Sequence, residues 1–295
     1  MQIRFFNELD KTAGNDEYKN FIDLRFKTEE NNYNNIKRRL NRISTEQEIS
    51  ACAVDNDKII ACFIGSSNTW VGLKTIYCNG LLVNKNANKK DIDSAITALI
   101  KSVINKAKQS GFENFLTERE TGNKEFKDYF SAFKEVHSRI LINYIIPTKK
   151  LIENTEKARK NLSHTEFKIK HGDVNNLTPY LGFMDTRQGW LSSNAAIGED
   201  HGDELIGVRT QFDSVNSICV YNSESGVISR LATMPLARRG GFASALLNYA
   251  ASHIKAENLI VVDINKKNEE ARSYLTKLGF SECLVKEESS YSLSD

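Results

Sequence analysis

The chain has 295 residues, 40% of them hydrophobic, enough to bury substantial cores and long enough to favour two domains over one. Its formal net charge is only +2, so no whole-chain field draws it to nucleic acid or to a membrane surface. The opening run Met1-Gln2-Ile3-Arg4-Phe5-Phe6 turns polar at Asn7, unlike a signal peptide or anchor, and no apolar run approaches the roughly 20 residues that span a bilayer.

The cysteines, Cys52, Cys62, Cys78, Cys219 and Cys283, are odd in number and widely spaced. They suggest neither a zinc knuckle nor a disulfide framework, and most read as small core hydrophobes. The expectation is a protein without metal in a reducing cytoplasm.

In chain order, a short strand is predicted at 2–6, and strand-like runs follow at 49–54, 58–65 and 75–83. Ile92, Ile96, Leu99, Ile100, Val103 and Ile104 then recur at helical spacing. A short apolar strand at 112–116 precedes a helix carrying Asn123, Phe126 and Tyr129, and another strand-like run covers 140–145. The segment 146–165 is polar and charged, contains Pro147, and reads as a linker with helical character near 151–159. The domain boundary is placed there, giving 1–147 and 148–295.

The second half repeats this layout. A strand at 166–170 is followed by strand-like runs at 204–212, 217–221 and 227–233. A helix with Phe242, Ala245, Leu246, Tyr249 and Ala250 follows, then a strand at 259–264, then a helix with Asn268, Ala271 and Tyr274. The Asn-to-Tyr spacing is the same in both last helices, so two copies of one α/β unit are expected in tandem.

The chemistry concentrates between the strand ending at Thr233 and the helix starting near Phe242. The run reads Leu231, Ala232, Thr233, Met234, Pro235, Leu236, Ala237, Arg238, Arg239, Gly240, Gly241, Phe242, Ala243, Ser244. Pro235 cannot continue a ladder. Glycine lets backbone approach a ligand closely or take a positive φ. The start of a helix leaves amides free and favours an anion, and successive free amides form an anion nest. Two arginines at the rim add charge, so the arrangement suits a pyrophosphate. Neither the dinucleotide fingerprint nor the nucleotide-triphosphatase loop is present.

Arg238-x-x-Gly241-x-Ala243, between an apolar strand and a helix, resembles the acyl-CoA loop of the GNAT superfamily of N-acetyltransferases. Further on, Asn268-x-x-Ala271-x-x-Tyr274-Leu275 and Gly279-Phe280 resemble the family's second landmark, a helix ending in Gly-Phe. The likeness is specific over about 226–281. It implies two tandem GNAT-like domains, each a mixed, mostly antiparallel central sheet flanked by helices, the N-terminal one degenerate. It implies acetyl-CoA or another acyl-CoA as co-substrate, held by Leu231, Ala232, Thr233, Arg238, Arg239, Gly240, Gly241, Phe242, Ala243, Ser244 and Asn268. Asn268 also suits a helix N-cap.

A gapless comparison of the two copies from Val83 and Thr233 sets Asn88 against Arg238, Asp91 against Gly241 and Asp93 against Ala243. A carboxylate there favours the helix and repels phosphate, by about 4 kcal/mol for unit charges about 4 Å apart at an effective dielectric of about 20. Lys85, Lys89 and Lys90 offset part of this. Gly-Phe is replaced by Phe130-Ser131-Ala132-Phe133, so acyl-CoA is expected in the C-terminal half alone.

Acyl transfer to an amine wants a base for the amine and an acid near the sulfur. The family often places a Glu on the fourth strand, but 227–233 has no carboxylate. Glu224, just before that strand, is the candidate base, with Asp213 and the group Glu199, Asp200, His201, Asp203 and Glu204 as others that act through water. Tyr274 is the candidate acid, although the family's Tyr stands one residue later, at Leu275, so Tyr274 need not face the sulfur and also reads as a packed core residue. His253 reads as a structural residue. An acceptor groove is expected near Met184 to Trp190. The resulting reading is an N-acyltransferase for a small primary amine, with a non-catalytic CoA-binding module as the alternative.

Overall fold

The computed structural model describes residues 1–6, 49–56, 58–70, 72–84, 86–121, 128–177, 180, 203–210, 212 and 214–293. The chain forms two compact units, Met1–Ser138 with Glu288–Asp295, and Arg139–Glu287. Residue 148, where the sequence suggests a boundary, is the first residue of a helix in the second unit.

In the first unit, β1 (Gln2–Phe5), β2 (Ala51–Asp55), β3 (Lys58–Trp70) and β4 (Leu73–Val83) pair antiparallel in sequence order. Helix α1 (Lys89–Gln109) then crosses over so that β5 (Asn114–Glu120) joins β4 in parallel. The helix forms because Ala95, Ile96, Leu99, Ile100, Val103, Ile104 and Ala107 make one apolar stripe, all of it buried. That stripe closes a core with Phe63, Phe115 and Phe130. Truncating Leu99, fully buried at its centre, to Ala would cost about 2–5 kcal/mol.

Cys52 and Cys62 stand directly opposite each other in the β2–β3 ladder and are joined as a disulfide, which corrects the expectation of no pairing. Their separation along the chain says nothing about proximity until the strand register is known.

The chain leaves the first unit within β6 (Glu135–Pro147) and returns to it within the last strand, β12 (Ser281–Ser292). The sequence reading omits β12 because Lys286 and Glu288 break its apolar pattern, yet both are buried. Its end completes the first core: Tyr291 stacks on Phe130 with centroids 5.3 Å apart, and Ser290 Oγ donates to Asn114 Oδ1 at 2.6 Å.

The second unit continues with α2 (Thr148–Ser163), β7 (Lys168–Gly172), β8 (Asp203–Arg209), β9 (Val215–Asn222) and β10 (Val227–Thr233). Next come α3 (Phe242–His253), β11 (Asn258–Asn265) and α4 (Glu269–Lys277). Strands β7 to β10 pair antiparallel in order, β11 joins β10 in parallel, and β6 pairs antiparallel with β11. This repeats the first unit's topology.

Helix α2 is where the sequence predicts a linker with helical character near 151–159; the helix is longer, Thr148–Ser163. Leu151, Thr155 and Leu162 bury one stripe of it, and Asn248 Nδ2 of α3 donates to Ile152 O and to Thr155 Oγ1, each at 3.0 Å. A narrow stripe on a lysine-rich helix is too weak to outweigh its polar composition in the sequence. Helix α4 ends in a Schellman turn. Gly279 takes φ +91°, its amide donates to Thr276 O at 2.9 Å, and the Phe280 amide donates to Leu275 O at 3.1 Å. That turn explains the Gly279-Phe280 landmark: the glycine accepts the left-handed backbone and the buried phenylalanine packs under the helix.

Candidate active site

Strands β10 and β11 share only the pairs Val227–Ile260 and Ile228–Val261, and then part. Each has a register shift at that point, β10 between Ile228 and Arg230 against β9, and β11 between Val261 and Ile264 against β6. The parting strands, the turn before α3 and one face of α4 enclose a cleft of about 910 Å³, large enough for a cofactor-sized ligand.

The turn at its mouth has the backbone features that suit an anion. After β10, Pro235–Ala237 make one 3-10 turn. Arg239 and Gly241 then take left-handed φ of 66° and 79°. Gly241 is the N-cap of α3 and offers no side-chain hydrogen bond to the first-turn amides. The amides of Phe242, Ala243 and Ser244 have no carbonyl one turn back to bond, so they and the helix dipole face the cleft mouth. Phe242 fixes the start of the helix by packing edge-on to Phe167, with centroids 4.8 Å apart.

Leu231, Ala232, Thr233, Arg238, Arg239, Gly241, Phe242, Ala243, Ser244 and Asn268 all line this cleft. Gly240 does not; it tightens the turn, where an added Cβ would lie 3.2 Å from Ala237 O. Arg238 donates to Glu270 Oε2 on α4 at 3.1 Å, an exposed ion pair of the kind worth about 0–1 kcal/mol. A phosphate can therefore replace Glu270 at little cost. Asn268 caps α4, its Oδ1 accepting from the Ala271 amide at 3.1 Å, while also lining the cleft.

The two candidate catalytic residues are placed differently. Tyr274 lines the cleft with its hydroxyl 3.0 Å from Ser244 Oγ, and burial pushes its pKa up to about 12. Its hydroxyl is neutral at physiological pH, as an unperturbed tyrosine's also is. Glu224 lies in the turn before β10, pairs with Lys255 Nζ at 2.6 Å, and is not among the residues lining the cleft. Asp203 accepts from Asn222 Nδ2 and Glu204 from the Tyr221 hydroxyl, both at 2.9 Å and both away from the cleft lining. His253 is exposed and its Nδ1 sits 2.7 Å from Tyr249 O. Residues 184–190, 199–201 and 213 lie outside the described residues.

The cleft also gathers Arg139, Ser229, Arg230 and Asp263, which the sequence reading passed over. Burial lowers the pKa of Arg230 to about 10. The Asp263 side chain is wholly buried with Lys286 Nζ at 2.6 Å. A signal for Asp263 did exist: it is the one acid inside the apolar run from Leu259 to Ile264. Among the described residues no cluster of His, Cys, Asp or Glu could hold a metal ion, and no helix is long and apolar enough to cross a membrane.

Comparison with known proteins bears on the second unit first. The acetyltransferase (GNAT) family profile matches residues 179–280. Among solved structures, a GCN5-related N-acetyltransferase from Kribbella flavida superposes with a TM-score of 0.54 at 11% identity, over 99% of this chain and 72% of that one. A GCN5-related N-acetyltransferase from Sphaerobacter thermophilus gives 0.54 at 10% identity, over 83% and 81%. A tandem GNAT protein from the clavulanic acid biosynthesis pathway, solved without AcCoA, gives 0.54 at 8% identity, over 83% of each chain. At these identities the likeness is one of fold. No curated protein matches the sequence.

Proposed function

From a chain whose residues 179–280 belong to the GNAT acetyltransferase family and whose fold is that of GNAT proteins, some of them tandem, we propose an N-acyltransferase that uses the second unit to move an acetyl group from acetyl-CoA to a primary amine. The observation that carries the reading is the glycine-capped, left-handed turn at the mouth of a cleft between parting strands. The donors present fit a pyrophosphate: first-turn amides of α3, with Arg238 and Arg239 at the rim. Where β10 and β11 part, their main-chain groups are available to an extended, amide-bearing arm.

The reaction joins the amine nitrogen to the acyl carbon and breaks the carbon–sulfur bond. No protein nucleophile is required, so direct attack within a ternary complex accounts for it. The Tyr274 hydroxyl lines the cleft beside Ser244 and is the group placed to protonate the departing thiolate, although burial raises its pKa and so weakens it as an acid. The amine's own proton leaves through water. The acceptor is a small molecule rather than nucleic acid or a membrane surface. The proposed location is the cytoplasm, against which the Cys52–Cys62 disulfide stands, since such bonds are rare there.

Calorimetry with acetyl-CoA should find one site per chain, lost in Gly241→Asp, and thiol release should depend on a member of an amine panel. Two equal sites, or full binding by the variant, would overturn the reading. Binding without release for any amine would favour a non-catalytic CoA-binding module. That second reading draws on one observation: β10 has no carboxylate, and Asp263 and Glu270 at the cleft are engaged with Lys286 and Arg238.

A further inference from the structure

The parting of β10 and β11 needs a cause, because strands that begin a parallel ladder gain by continuing it. The second half of β11 is held from its other side. At Asp263 the backbone takes φ +62°, inside the register shift between Val261 and Ile264. The Asp263 amide donates to Asn143 Oδ1 of β6 at 3.0 Å. Its carboxylate meets Lys286 Nζ of β12 at 2.6 Å, with side-chain exposures of 0% and 6%. The strand order here is β12-β6-β11-β10, so both partners lie on the side away from β10. Packing alone does not explain this: a buried ion pair can usually be replaced by apolar residues without loss of stability. A left-handed aspartate in a core strand likewise persists only where its surroundings impose it. Bulges are used to re-aim a side chain beside a site.

We propose that Asp263 is a positioning residue, its ion pair with Lys286 drawing the second half of β11 toward β6 and β12 and so holding the cleft open against closure onto β10. The inference rests on the acyltransferase reading for what the cleft admits, but the device itself is a property of the sheet. Without the pull, residues 262–265 can resume the ladder with 229–233 and the cleft narrows. Gly is tolerated at 263 for its φ, so loss of the carboxylate and loss of the left-handed backbone are separable.

The test compares the 295-residue chain with Asp263→Asn/Lys286→Met, which removes both charges of the pair, and with Asp263→Gly, which keeps the backbone freedom alone. Hydrogen exchange is followed at 229–233 and 262–265, and acetyl-CoA affinity is measured by calorimetry. Slowed exchange in both segments is expected, with affinity weakened about tenfold or more because the cleft is no longer preorganised. A merely structural role predicts a thermal midpoint that tracks the ion pair, with exchange in these segments and affinity both as in the wild type. Wild-type exchange in the double variant overturns the proposal. If the wild type itself binds no acetyl-CoA, the acyltransferase reading fails and the exchange comparison alone still decides this one.

Discussion

The two units run their strands in the same order and cross over through the same helix, but they start that helix differently. In the first unit Asn88 is the N-cap of α1, and its Oδ1 accepts from the Asp91 amide at 2.9 Å. A first-turn donor is consumed and a carboxylate sits beside it. In the second unit the N-cap is Gly241, with left-handed backbone and no capping side chain. The gapless comparison sets Asp91 against Gly241, but the caps set Asn88 there instead. The difference is the 3-10 turn Pro235–Ala237, extra residues that carry Arg238 and Arg239 to the cleft mouth. The tyrosines follow suit: Tyr129 donates to Asp93 Oδ1 at 2.6 Å, whereas Tyr274 meets the Ser244 hydroxyl. Asn123 and Phe126, its expected companions, lie outside the described residues. A helix start closed on its own side chains serves the fold, and one left open has amides to offer an anion, as the proposed function requires.

The largest expected effect breaks that contrast by giving the second helix an acidic start. Gly241→Asp strains the left-handed position and sets a carboxylate among the first-turn amides. Calorimetry should show acetyl-CoA affinity falling about a hundredfold or more. The converse, Asn88→Gly with Asp91→Ser in the first unit, should create no second site, because the 3-10 turn and arginines are still missing.

Next come the tyrosines. An unfolded Tyr274 ionises near pH 10, while burial raises the folded value to about 12. Its contribution is therefore complete below pH 10 and is lost as pH rises through 12, by about 3 kcal/mol. Alkaline denaturant titrations should show wild type losing stability relative to Tyr274→Phe over that window, with a constant offset between the two below it. If Tyr274 is the acid, the same change should lower amine-dependent turnover about a hundredfold at an unaltered KM for acetyl-CoA.

Arg238→Ala should weaken acetyl-CoA about tenfold, or about 1.4 kcal/mol. Arg239→Ala should do less, with an effect that fades as salt is added. A larger loss from Arg239 at every ionic strength would shift the assignment of the turn by a residue. The smallest effect sharpens the comparison. Glu270→Gln frees Arg238 from its exposed partner and should tighten acetyl-CoA by roughly two- to fourfold at low salt.

The sequence by itself determined the repeat, most of the strands, both crossover helices and the position of the anion turn. Each of these is written in local chemistry: apolar period, glycine before a helix, Gly-Phe after one. It went no further where the deciding contact is distant along the chain. Helix α2 looked like a linker because its burial depends on α3, and β12 was hidden by polar residues whose partners lie elsewhere. Cys52 and Cys62 meet only through strand register. Nothing local shows that Glu224, the candidate base, lies beside Lys255 and Tyr274, the candidate acid, on the cleft. The cleft itself is a parting of strands at Ile228 and Val261, and no local pattern announces where two strands separate. That was decided by what β11 grips on its far side, Asn143 and Lys286, residues the chain brings together only when the sheet is complete.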